Sequence, residues 1–230
     1  MKLDSFRQQL RSEVRKICDD EAWNFDNNKQ RGMAFENWAF NLLSEMYVDA
    51  DNREQDCIVR TDDFQADIVF PSKEFQEVFY IQCKFDKPAA SDPIDYSEVS
   101  KLFAIADYLF GDKQMNTTGF SDQIVQLFNE AENWKRENYR IHFIFMSTGT
   151  THDKVEEIAS AHNEAYSDNN IDFAIWDIGR IRDEYVASNS IEESYPDEVK
   201  FTLGRGKYLS VDGPEVHLTF VLPGTKLNET

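Results

Sequence analysis

Val78-Phe79-Tyr80-Ile81-Gln82-Cys83-Lys84-Phe85 is the stretch on which the fold turns. Rich in aromatic and β-branched residues and bounded upstream by a turn region, it predicts a strand. A two-residue period sorts Phe79, Ile81, Cys83 and Phe85 onto one face and Val78, Tyr80, Gln82 and Lys84 onto the other. The polar pair Gln82 and Lys84 therefore shares a face.

Just upstream, Pro71-Ser72-Lys73-Glu74 reads as a turn, preceded by strand candidates at Ala66–Phe70 and Cys57–Thr61, so the three strands form a meander. If Ala66–Phe70 and Val78–Phe85 pair antiparallel across the turn, Asp67 falls level with Ile81 and Gln82. Ala66 and Ile68 are expected to face the core and turn Asp67 toward Gln82. Asp62 and Asp63 compete with Asp67 because one sequence does not fix register, and Asp86 shares the parity of Lys84.

Helices flank this meander. Leu3, Phe6, Leu10, Val14 and Ile17 recur at helical spacing over the first eighteen or so residues, and Asp19 to Gln30 reads as a polar connection. A second helix, Arg31 to Tyr47, carries Phe35, Trp38, Ala39, Leu42, Leu43 and Met46 on one broad face with Glu36 at its edge. Downstream, Asp95 and Glu98 mark a helix start, Val99, Leu102, Phe103, Ala106, Leu109 and Phe110 form its stripe, and Gly111 ends it. Ser121 caps a further helix bearing Ile124, Leu127, Phe128, Ala131 and Trp134. An alternating strand at Arg140–Ser147, a helix from His152 to Tyr166, a strand at Ile171–Trp176 and a short helix after Asp177 follow. This order predicts an α/β layer sandwich with a central mixed sheet flanked by helices. From about Ser190 the character changes, with short strands at Lys200–Leu203 and His217–Leu222, so residues 1–189 read as the main domain and 190–230 as a β-rich tail or the start of another domain.

The 230 residues, 41% of them hydrophobic, suffice for a real core. Cys18, Cys57 and Cys83 make neither a disulfide framework nor a zinc knuckle. With no signal peptide and no membrane-spanning stretch, a cytoplasmic location without a membrane partner is expected. A formal net charge of −19 weighs against a simple DNA-binding surface, which ordinarily carries a Lys/Arg footprint. A metal site tolerates local carboxylates that such a surface does not.

Phosphodiester hydrolysis needs charge neutralised on the phosphate, a positioned water and a stabilised leaving oxygen, and Mg²⁺ held by carboxylates assists all three. Asp67 is the natural anchor, the Gln82 side-chain carbonyl and the main-chain carbonyl of Cys83 are neutral oxygen donors, and Glu36 reaches in from the helix to supply charge. Lys84 can orient the attacking water without competing as a ligand. Asp67 together with Gln82-Cys83-Lys84 resembles the PD-(D/E)xK nuclease superfamily in its Mrr-like Gln-x-Lys branch, which also carries a helical acid ahead of the strands, matched by Glu36. The resemblance spans roughly residues 30 to 147 and implies a restriction-endonuclease-like three-layer sandwich, Mg²⁺ or Mn²⁺ as cofactor, and DNA as substrate. A narrower resemblance, on Ala66-Asp67-Ile68-Val69-Phe70, Tyr80-Ile81-Gln82-Cys83-Lys84 and Ile141–Gly149, is to the N-terminal region of abortive-infection phage-resistance (AIPR) proteins. It implies antiphage defence. Those proteins continue into a large second domain, so the resemblance implies a truncated or split form, and a missing C-terminal domain or a homo-oligomer is expected.

Plainer readings stand beside each residue: a solvated strand face for Lys84, an exposed helix position for Glu36, a buried amide serving the backbone for Gln82. His142, His152 and His162 fall on a strand, a helix start and a helix without convergent metal geometry. Ser147-Thr148-Gly149-Thr150 reads as a turn with a helix cap, and Phe79, Phe85, Phe103, Phe143 and Phe145 as core. The expected activity is a metal-dependent endonuclease. A catalytically silent interaction module of the same fold, part of a larger defence protein, is the rival, and RNA cleavage a more distant third.

Overall fold

The computed structural model describes residues 1–47, 65–73, 75–85, 92–111, 122–194, 209–211 and 217–219. The expected strand at Cys57–Thr61, the aspartates at 62, 63 and 86, the cap at Ser121 and the strand at Lys200–Leu203 lie outside them. The chain divides into two compact units, Met1–Ile191 and Glu192–Thr230.

In the first unit, α1 (Leu3–Asp20) buries Phe6, Leu10, Val14 and Cys18. Four-residue steps carry the stripe from Val14 to Cys18 and leave Ile17 half-buried, a small correction to the sequence expectation. Helix α2 (Asn28–Tyr47) begins three residues earlier than expected, because the Asn27 side chain accepts from the backbone N–H groups of Lys29 and Gln30 at 3.0 and 3.2 Å.

Strand β1 (Ile68–Ser72) runs through Pro71, where a turn was expected, and pairs antiparallel with β2 (Glu77–Lys84). Among the described residues β1 has a neighbour on one side only, so a proline costs it no ladder bond on the other. After β2 come α3 (Tyr96–Leu109), α4 (Asp122–Arg136), β3 (Arg140–Ser147), α5 (Asp153–Ala165), β4 (Ile171–Trp176) and α6 (Ile178–Ser194). The expected short last helix is 17 residues long. Asp177 caps it, accepting from Arg180 N–H at 2.9 Å, and Ile178 and Ile181 bury its first turns.

At the start of α3 the Asp95 carboxylate accepts from Ser97 N–H at 2.8 Å. At its end Gly111 is required by close approach, since a Cβ there would lie 2.6 Å from the carbonyl oxygen of Asp107.

The sheet order is β1-β2-β3-β4, antiparallel between β1 and β2 and parallel thereafter. Parallel neighbours need crossovers, which α3 with α4, and then α5, provide. Strand parity divides the core into two clusters. Val78, Tyr80, Phe143 and Phe173 pack with Val99, Leu102, Phe103, Trp134 and Val155 from α3, α4 and α5. Phe70, Phe79, Ile81, Cys83, Ile144 and Met146 pack with Phe6, Leu10, Val14, Phe35, Leu43 and Ile181 from α1, α2 and α6. Helices, mixed sheet and helices make the three-layer α/β sandwich expected from the sequence. Among the described residues no helix is long and apolar enough to cross a membrane. The second unit contains an antiparallel pair, β5 (Leu209–Val211) and β6 (His217–Thr219).

Candidate functional site

The register pairs Ile68 with Ile81, so Asp67 comes level with Gln82, as antiparallel pairing of the two strands requires. Asp67 donates its N–H to the Ile81 carbonyl at 2.8 Å and accepts from Cys83 N–H through Oδ2 at 2.7 Å. The carboxylate thus continues the ladder one step beyond the last main-chain pair. Ala66 does not share a face with Ile68 as expected. Gln65 has φ 51°, the chain bends there, and Ala66 joins the α3 side of the core while Ile68 joins the α2 side.

Gln82 is 4% exposed on the α3 face, and its Oε1 is buried without a hydrogen-bond partner. A buried acceptor left unmade costs about 1–3 kcal/mol, so an orphan of this kind in a well-packed core asks for an explanation. Lys84, on the same face and half-exposed, places Nζ 3.1 Å from Glu98 Oε2, and Lys101 Nζ lies 2.7 Å from the other oxygen of that carboxylate. The hydrogen bond from Lys101, followed by that from Lys84, holds the Glu98 carboxyl below its ordinary range despite partial burial. Glu98 sits in the first turn of α3, where a carboxylate is favoured by the helix dipole. The main chain of Lys84 is fixed too, its carbonyl accepting from Thr148 N–H at 3.1 Å.

Cys83 and Glu36 occupy the opposite side. The Cys83 thiol is pushed well up by burial, then by the carboxylates of Asp67 and Glu36, with Lys84 opposing. Glu36, half-buried on α2, therefore acts on the same strand end as Asp67 and Lys84. The Phe35 ring lies 5.2 Å from that of Phe85, which seats this part of α2 against the end of β2. A thiol held protonated is a poor metal ligand, so Cys83 has only its main-chain carbonyl to offer.

Among the described residues no three His, Cys, Asp or Glu side chains are grouped to hold a metal ion. The oxygens at this strand end are of another kind: the Asp67 carboxylate, the Gln82 amide oxygen and the Cys83 main-chain carbonyl, with the Glu36 carboxylate on the α2 side of the sheet, all hard donors suited to Mg²⁺. The orphaned Oε1 of Gln82 fits that requirement.

Sequence reasoning missed Glu98 as the partner of Lys84. The Asp95-Glu98 cap signal identified the helix start without revealing what the carboxylate faces. It also treated the three histidines as unrelated. His152 Nε2 lies 3.0 Å from the Ile94 carbonyl oxygen and His162 Nδ1 2.9 Å from that of Ile158, each locally satisfied. His142 is different: Nδ1 lies 3.0 Å from Asp172 Oδ2, Nε2 faces Glu77 Oε1 at 3.5 Å without hydrogen-bond geometry, and the ring stacks on Phe79 at 4.6 Å. The Ser147–Thr150 segment forms a local turn, with Gly149 N–H donating to Ser147 Oγ at 3.0 Å.

No family model matches the chain, and no curated protein or solved structure does either.

Proposed function

We propose that the chain is a Mg²⁺-dependent endonuclease domain that hydrolyses phosphodiester bonds, with DNA as substrate. The observation that carries this reading is the orphaned Oε1 of Gln82, buried on the face of Lys84 and level with a carboxylate that the backbone of Cys83 holds in place. Asp67, Gln82 Oε1 and the Cys83 carbonyl would hold the ion, with Glu36 supplying negative charge from the α2 side of the strand end. Bound there, Mg²⁺ supplies charge neutralisation at the phosphate and lowers the pKa of a coordinated water. Lys84, steadied by Glu98, would orient an attacking water and face the developing phosphate charge. Asp67, anchored through Oδ2, keeps its geometry without rearrangement when substrate arrives. A role in antiphage defence is supported by the resemblance to abortive-infection proteins alone.

The test is cleavage of supercoiled plasmid and of single-stranded DNA and RNA by the full chain, in Mg²⁺ and in EDTA. Mg²⁺-dependent cleavage is expected in the native chain, with a loss of at least about 100-fold in Lys84→Ala and in Asp67→Asn. Asp67→Asn keeps an acceptor for Cys83 N–H, so a folded but inactive variant is expected. Undiminished cleavage in both variants would sink the assignment.

One observation favours a second reading. The Lys84 ammonium is shared with Glu98, which is how a silent nuclease fold serving as an interaction module would neutralise it. A native chain that neither cleaves nor takes up Mn²⁺ in calorimetry would establish that reading.

A further inference from the structure

Several cations among the described residues meet carboxylates: Lys84 and Lys101 share Glu98, Arg140 contacts Asp172, Arg180 contacts Glu184 and Arg182 contacts Asp183. Three that do not are gathered at one place. Arg11, Arg15 and Arg31 bring their guanidinium carbons to 5.5, 4.7 and 5.6 Å from the centre of a single ring, Phe25. None of the three has an ion-pair partner among the described residues. The hydrogen bonds of Arg31 go to neutral oxygens, the Phe25 carbonyl at 3.1 Å and Asn28 Oδ1 at 2.8 Å.

Three like charges around one ring sit within about a screening length of each other, roughly 10 Å at 0.1 M salt. The ring face offsets part of the repulsion through cation–π attraction, worth about 0.5–1 kcal/mol at exposed sites. Burial and then Asp19 raise the Cys18 thiol while Arg31 and Arg15 lower it, so one carboxylate also acts at this place. Asp19, four residues beyond Arg15, continues the same helix face, yet among the described residues no carboxylate makes an ion pair with these three guanidiniums.

The cluster has a direction. Arg7, Arg11 and Arg15 stand at four-residue steps on α1, so they share one face at intervals of about 6 Å. Arg11 and Arg15 are exposed and Arg7 half-buried, and Arg7 Nε is buried without a partner. At the other end Arg31 lies 5.8 Å from the ring of Phe85, the residue that follows Lys84. A line of guanidiniums thus runs along α1 and across Phe25 to Phe85, on the α2 face of the strand end whose other face bears Gln82 and Lys84. Its span on α1, about 12 Å, is roughly the axial rise of three to four base-pair steps of a duplex.

We infer that the arginine row Arg7, Arg11, Arg15 and Arg31 is the track on which a nucleic-acid backbone lies, leading a phosphodiester to the Gln82–Lys84 strand end. This deepens the nuclease reading and rests on it for what happens at that end. Planar guanidiniums already fixed against a ring lose little freedom on pairing with phosphate oxygens, which is the geometry suited to backbone contacts without base readout. It also meets the difficulty raised by a net charge of −19, because the footprint is a local row of guanidiniums rather than a property of the whole chain.

The experiment measures binding of the full chain, in EDTA, to fluorescent 20-base-pair DNA, single-stranded DNA and single-stranded RNA across a salt series. The variant is Arg11→Glu with Arg15→Glu, both exposed, and the control is Arg136→Glu with Lys154→Glu, which alters net charge equally on α4 and α5. The expected result is at least tenfold weaker binding in the first variant, a salt slope smaller by about two, and little change in the control. Of the three probes, the one bound most tightly identifies the polymer. Equal losses in variant and control, or no loss in either, would overturn the track. So would a native chain that binds none of the probes, which would leave the row to an acidic protein partner. Cleavage is scored separately: binding that depends on the arginines without cleavage keeps the track and removes the nuclease, whereas cleavage indifferent to the arginines does the reverse.

Discussion

The two ends of β2 carry polar groups of similar number and opposite character. At the start of the strand, Glu77, His142, Asp172 and Arg140 close on one another: the imidazole lies between two carboxylates, Arg140 Nε contacts Asp172 at 3.0 Å, and Phe79 covers one face of the ring. At the far end, Asp67 is tied to the backbone and Lys84 to Glu98, yet the Gln82 amide oxygen has nothing to accept from. The first end is closed by ion pairs, although His142 Nε2 makes no hydrogen bond and meets Glu77 only at 3.5 Å; the second is held in position and left open at Gln82 Oε1. Burial alone does not distinguish them, since polar groups are enclosed at both.

This contrast can be broken most sharply by kinetics. Lys84→Ala is expected to lower Mg²⁺-dependent cleavage by at least about 100-fold, near 2.7 kcal/mol in barrier, while costing under about 1 kcal/mol in stability because its ion pair is half-exposed. His142→Ala should leave cleavage within about twofold. If the His142 variant lost as much activity as the Lys84 variant, the two ends would not differ in function.

Next in size is the stability cost at the closed end. Removing the imidazole leaves Glu77 and Asp172 facing each other with one partner fewer and opens space against Phe79, so His142→Ala is expected to cost about 2–3 kcal/mol in urea unfolding. A loss under about 0.5 kcal/mol would mean that the cluster is ornamental.

At the open end the sign reverses. Gln82→Leu replaces an orphaned acceptor with apolar volume, and is expected to be neutral or to stabilise by up to about 1.5 kcal/mol while abolishing metal-dependent cleavage. Destabilisation by more than about 1 kcal/mol would show that the amide has a structural partner.

The smallest effect is in acid. Burial pushes the Asp172 carboxyl up, but the hydrogen bond and charge of His142, followed by those of Arg140, outweigh it and hold the group below its ordinary 3.8. A depressed carboxylate contributes stability that is complete above the unfolded value and lost as pH falls through the folded one, so the loss should begin below about pH 4. Urea midpoints followed from pH 5 to pH 2 should fall more steeply in the native chain than in Asp172→Asn. Parallel declines would remove Asp172 from the acid response.

Much of this was legible in the residues. Alternation placed Gln82 and Lys84 on one face, and antiparallel pairing brought Asp67 level with Gln82, because a strand's period and a ladder's register are local geometry. The strands at Arg140–Ser147 and Ile171–Trp176 were readable to the residue. What failed did so for definable reasons. Asn27 is a cap that reads as an ordinary connecting residue, so α2 was begun late, while α6, begun correctly after Asp177, was cut short because its residues carry little amphipathic periodicity. Phe25, set in a polar connection, gave no periodic signal, although its ring is buried beneath three guanidiniums. The four-residue spacing of Arg7, Arg11 and Arg15 was visible, but it was submerged in the net charge, a sum that carries no positions.

The sequence by itself determined which side chains each strand turns to which face, which helix faces are apolar, and hence a layered α/β sandwich, since these follow from periods of two and 3.6 along the chain. Tertiary structure alone decided the partners: Lys84 with Glu98 across the crossover, His142 with Asp172 between parallel strands, Arg31 with Phe25 and Phe85 between helix and sheet. Each pair joins elements whose separation is set by packing rather than by period. Whether a buried polar group is completed or left waiting depends on those distances.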